Sequence, residues 1–180
     1  MFDKNILPSK KILFEASLLH KSFTVLQNEI YVKAQSLKNN ADMFVQAVES
    51  EKYVQASKLF GVMMGASDFI TEGIKFSDKT LDDLKGQNAF LKTEYANQRK
   101  IWGHGYGMKS QFDKSAKQYS EEKPKLLKMT QLIDHATAGF QKEVMQNTSL
   151  SYDDIKERLG QIAEQVKGCM PPDENDPVPL

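Results

Sequence analysis

Apolar residues recur along the first part of the chain at spacings of four and three. Ile12, Ala16, Leu19, Phe23, Leu26, Ile30, Leu37 and Phe44 form the series, and polar Lys33 and Asn40 stand where it lapses. Steps of four and three keep side chains on one face of an α-helix, so the pattern predicts a near-continuous heptad seam. The first helix is expected from Ser9, an N-cap following Pro8, to about Lys38. Phe23 to Val32 is rich in β-branched and aromatic residues and would pass for a strand in isolation. The heptad on either side assigns it to the helix.

Beyond this seam, Asn39-Asn40 marks an expected break. A second helical region runs from about Asp42 to Gly73, with a restart near Ser50. Ser77-Asp78 is read as the cap of a third helix with the seam Leu81, Leu84, Asn88, Leu91, Tyr95 and Trp102. The glycines at Gly103, Gly105 and Gly107 predict a hinge or turn that ends it. A short segment, Met108 to Ser120, carries Met108, Phe112, Ala116 and Tyr119 on one side. Pro124 suits the first turn of a fifth helix to Gln146, with Ile133, Phe140 and Val144 inward. Ser151 with Asp154 three residues on resembles a capping box opening a last helix, whose seam is Ile155, Leu159, Ile162 and Val166 and which Gly168 closes.

Proline sharpens this outline. The six prolines stand at positions 8, 124, 171, 172, 177 and 179, so none interrupts Ser9 to Lys123. Proline inside a helix costs about 3 kcal/mol, and long proline-free spans are a mark of helical proteins. The expected fold is all-α: an elongated bundle of about four to six amphipathic helices with coiled-coil-like seams over residues 1–168. Residues 169–180, acidic and proline-rich, are read as a disordered tail. No internal repeat at solenoid period is evident.

Composition narrows the function classes. The 24 basic residues equal the 24 acidic ones, so no net field draws the chain to nucleic acid or an anionic membrane. Only Arg99 and Arg158 supply the guanidinium fork that reads phosphates and guanine edges, which weakens a nucleic-acid partner further. Cys169 is the single cysteine, so an intrachain disulfide is excluded and a reducing compartment, the cytoplasm, is expected. Met1 to Leu7 contains Asp3 and no apolar core, so no secretory signal is expected, although export without a cleaved signal would look the same. The longest apolar run, Leu59 to Ala66, is eight residues, far short of the roughly 20 a transmembrane helix needs.

Candidate chemistry is sparse. His20, His104 and His135 form no metal-ligand spacing, so no metal and no cofactor is expected. Cys169 borders the tail, where no pocket would orient a nucleophile. The Gly103 to Gly107 glycines follow a predicted helix rather than a strand and lack the spacing of a phosphate loop. The paired acids Asp82-Asp83 and Asp153-Asp154 suit first turns of helices, where carboxylates meet the positive end of the helix dipole. Val178-Pro179-Leu180 has the form of a sheet-edge-binding C-terminus, a pattern too short to separate from chance.

Two features bear on partners. Ser57, Gly61 and Gly65 fall four residues apart and make a stripe of small side chains, a helix-docking face within the chain or between copies. A crossing within the chain's own core is the expectation the surrounding apolar run favours. Trp102, the only tryptophan, is expected to be a hydrophobic anchor closing the third helix. The sequence therefore predicts a non-enzymatic interaction, scaffold or adaptor protein that binds partner proteins, or itself, through amphipathic helix faces. A coat on a lipid or storage-granule surface is the alternative, and an enzyme with an unrecognised site comes last.

Overall fold

In the computed structural model the described residues are 8–85, 93, 106–146 and 150–167. Four helices are found among them: α1 (Pro8–Glu49), α2 (Tyr53–Lys85), α3 (Tyr106–Gln146) and α4 (Tyr152–Lys167). No strand occurs among the described residues. The protein is an all-α helical bundle, and none of these helices is long and apolar enough to cross a membrane. Trp102, Gly103, Gly105 and the tail 169–180 lie outside the described residues, whereas Gly107, expected in the hinge, lies in the first turn of α3 instead.

Helix α1 does not break at Asn39-Asn40. The Asn40 amide donates back to the Ser36 carbonyl at 2.7 Å and to its hydroxyl at 3.1 Å, satisfying the polar side chain along the helix itself. Leu37, Ala41, Phe44 and Ala47 meanwhile stay buried. Burying such residues is worth more than the few tenths of a kcal/mol by which asparagine disfavours helix.

The helix ends at Ser50–Lys52 instead. Glu51 sits at φ 58°, its N–H bonds the Val48 carbonyl at 3.0 Å, and the Lys52 N–H bonds the Ala47 carbonyl at 2.8 Å. That pair of bonds is a Schellman termination, usually built on glycine. The break falls at the restart expected near Ser50, but with glutamate in the left-handed position the usual glycine signal is missing.

Helix α2 likewise runs through Gly73 and Ser77-Asp78 without restarting. Ser77 is buried rather than capping, and its hydroxyl donates to the Gly73 carbonyl at 2.8 Å. The segments expected as separate helices at 108–120 and 124–146 are one helix, with Pro124 inside it. Phe112, Tyr119, Leu126 and Ile133, buried and seven residues apart, continue one seam past the proline and outweigh its local cost. The Ser151 capping box is present as expected. The Asp154 N–H donates to the Ser151 hydroxyl at 3.1 Å, and the Ser151 N–H donates to the Asp154 carboxylate at 2.9 Å.

The chain divides into two compact units. Unit 1 comprises Met1–Glu29 with Gly73–Lys123, and unit 2 comprises Ile30–Glu72 with Pro124–Leu180. In unit 1, Ala16, His20, Phe23 and Gln27 of α1 are buried, as are Ile74, Thr80 and Leu84 of α2 and Phe112 and Tyr119 of α3. Phe23 stands edge-on to Phe112 at 5.2 Å and to Tyr119 at 5.8 Å. Unit 2 is more uniformly aliphatic, with Ile30, Leu37, Leu59, Met63, Ile70 and Ile133 buried. Phe60 lies 6.2 Å from Phe44 and edge-on to Phe140 at 5.3 Å. Helix α4 adds Leu159, Ile162, Ala163 and Val166, and Lys167 pairs with Glu49 at 2.7 Å.

Candidate functional site

A cleft of about 570 Å³ opens in unit 1. His20, Phe112, Asp78, Lys123, Asp113 and Lys85 line it. Helix α1 brings His20 to its floor because the position belongs to the buried heptad Ala16, His20, Phe23, Gln27, Ile30. The imidazole stacks on Phe112 with centroids 4.3 Å apart. At the wall, Asp78 takes two bonds from the Lys123 ammonium, at 2.8 and 2.7 Å, and one from the Tyr119 hydroxyl at 2.9 Å. Tyr119 shares its proton with the Ile74 carbonyl at 3.2 Å. This network ties α2 to α3. The carboxylate is a clamp between the helices, Oδ1 accepting from Tyr119 and Lys123 and Oδ2 from Lys123.

Also buried in unit 1, Gln27 donates to the Ser77 hydroxyl at 2.7 Å and its own carbonyl oxygen has no partner among the described residues. Buried polar layers of this kind favour one helix register at some cost in stability. No group of three or more His, Cys, Asp or Glu able to hold a metal occurs among the described residues.

Unit 2 has a shallower hollow, about 420 Å³, where α2 and α4 begin. The Lys156 ammonium lies 5.4 Å from the Tyr53 ring and 4.5 Å from that of Tyr152, and the two rings stand edge-on at 6.4 Å. This cation–aromatic clasp secures the first turn of α4. At that end of α4, hydrogen bonds from Ser151 hold the Asp154 carboxyl below the ordinary carboxylate range. At the other, the hydrogen bond to Glu49 and then its charge hold Lys167 above the usual lysine value.

Ser57, Gly61 and Gly65 are all exposed, and a Cβ added at either glycine would meet nothing among the described residues within 4 Å. The crossing expected inside the chain's own core is therefore corrected. The buried face of α2 is the opposite one, built from Ala56, Leu59, Met63, Ala66, Ser67 and Ile70. There Ala56, Ala66 and Ser67 supply the small residues that let helices approach. The Ser67 hydroxyl reaches Asp134 of α3 at 3.2 Å.

The residues that sequence reasoning missed are His20 and Gln27, at heptad positions of α1 that the apolar neighbours Leu19 and Leu26 concealed. Counting strictly by fours and threes from Ala16 would have found them. The Asp78, Tyr119 and Lys123 clamp joins positions more than forty residues apart, and no local signal marks it.

The class that the fold defines is an all-α helical bundle. In comparisons with known proteins, no family model, curated protein or solved structure matches the chain.

Proposed function

We propose that the protein is a non-enzymatic interaction module, a scaffold or adaptor that binds partner proteins, or itself, through outward helix faces, and that it works in the cytoplasm. One observation carries this reading. On α1 in unit 1, Phe14, Leu18 and Val25 share one face and are 59%, 52% and 49% exposed. Spacings of four and seven keep them in line on the helix, on the side away from Ala16, Phe23 and Gln27. Single exposed apolar residues are ordinary on protein surfaces, but an aligned series is what helix-in-groove and helix–helix recognition use. The cleft offers less, because Asp78 and Lys123 already bind each other.

The test replaces Leu18 and Val25 by glutamine and compares this variant with the wild-type chain as bait. Circular dichroism should remain helical in both. A defined protein, or the chain itself, should bind the wild type at a fixed stoichiometry and be lost with L18Q/V25Q. Binding to liposomes or storage granules with no protein bound would replace this reading with that of a surface coat.

A further inference from the structure

In unit 2 the buried side of α2 is complete, yet its outward side is not an ordinary solvated face. Val54, Lys58, Gly61, Gly65, Asp68 and Glu72 follow one another at alternating spacings of four and three, and all are exposed. That is the spacing of a second helix–helix seam on the side opposite the core. Val54 is 71% exposed and Val62, beside the seam, 51%. The two glycines weaken the helix relative to alanine, and no described residue comes near enough to require them.

The charges say what covers this face. Lys58 and Asp68 are exposed, and neither forms a hydrogen bond or ion pair among the described residues. They stand five residues before and five after Met63, while Gly61 and Gly65 stand two before and two after. The face is therefore complementary to its own reversal. In a parallel pairing, Lys58 would meet Lys58 and Asp68 would meet Asp68.

We propose that a second copy of this chain docks here, its α2 antiparallel to the first across a two-fold axis at the level of Met63. Gly61 of each copy lies against Gly65 of the other, and Lys58 of each bonds Asp68 of the other, so each contact is made twice. The missing side chains at the glycines let the backbones approach closely, which brings the flanking Lys58 and Asp68 within reach of each other. Val54 of each copy falls beside the aliphatic stem of the other's Glu72, which can cover it while the carboxylate stays in water. This rests on the interaction reading above and names the partner for one of its faces.

Sedimentation equilibrium of the full chain tests it. The wild type should pass from monomer to dimer with rising concentration. K58E and D68K should each weaken the dimer by about tenfold or more, because each places like charges opposite one another twice. An equimolar mixture of K58E and D68K should dimerise as well as the wild type, since every contact in the mixed pair is again between opposite charges, and K58E/D68K in one chain should do the same. G61L/G65L should abolish dimerisation while circular dichroism stays helical. Should the leucine variant fail to fold, the charge exchange still decides, because those sites are exposed. A wild type that stays monomeric to about 1 mM, or a dimer indifferent to all these changes, overturns the proposal. A monomeric chain that still captures a defined protein through Leu18 and Val25 would leave the broader reading intact, whereas loss of both would remove it as well.

Discussion

Glu51 is the most constrained residue of the described chain, the one non-glycine position with a positive φ, 58°. The left-handed region crowds Cβ against the following carbonyl and costs roughly 1–2 kcal/mol, part of which glycine recovers despite its greater freedom in the unfolded chain. Glu51→Gly is therefore expected to stabilise the protein by about 0.5–1 kcal/mol. The measurement is the urea midpoint at unchanged slope, and a lower midpoint would mean that the glutamate side chain makes a contact outweighing its backbone strain.

Asp154 carries a pH signature of opposite kind. Its carboxyl is held below the ordinary value by bonds from Ser151, so the folded state favours the ionised form. That contribution is present in full above the unfolded carboxylate value and fades as pH falls through the lowered folded value. The wild type should keep a constant advantage over D154N above about pH 5 and lose it in more acid solution. An advantage unchanged down to about pH 2 would show that the Ser151 cap does not depend on the charge.

Among the elements, α3 is the one in which local and tertiary demands disagree. Pro124 cannot donate to the Ser120 carbonyl, and its ring crowds that turn, yet the helix runs from Tyr106 to Gln146. The buried residues on either side, Tyr119 and Leu126, hold it in place. Pro124 itself is exposed, so alanine adds no overpacking. Pro124→Ala should raise stability by about 1–3 kcal/mol, below the full helix-interior cost because the turn has already adapted. A rise in the thermal midpoint checks this, and a fall would show that the packing on one side depends on the proline. Helix α1 gives the complementary case. Its Asn39-Asn40 pair looks like an interruption from propensity, but the Ser36 back-bonds and the buried Leu37 and Phe44 carry the helix through.

For the whole molecule, association and stability are linked. A partner that binds only the folded chain stabilises it by mass action, by about 2.7 kcal/mol at a hundredfold excess over the dissociation constant. If α2 pairs with a second copy, the thermal midpoint should climb a few degrees as protein concentration is raised about a hundredfold. K58E should show a flat midpoint over the same range. Scanning calorimetry at matched ionic strength is the check, since salt weakens exposed ion pairs.

The helical class and the capped start of α4 could be read from residues alone, because both depend on short-range information. Four-and-three spacing, missing prolines and a Ser-x-x-Asp cap act within a few turns of the chain. Which face of each helix became core is a different kind of fact. One residue turns an α-helix by about 100°, so choosing Leu19 over His20, or Leu26 over Gln27, moves the expected seam by more than a quarter turn. Only the neighbouring helices decided between them, by giving His20 the ring of Phe112 and Gln27 the hydroxyl of Ser77. The same holds for Gly61 and Gly65. Their spacing announced a face for close approach, but that the chain's own core took the opposite side of α2 followed from where Leu59, Met63 and Ile70 met their partners. Burial is a property of pairs of surfaces, and a single helix read by itself carries only half of each pair.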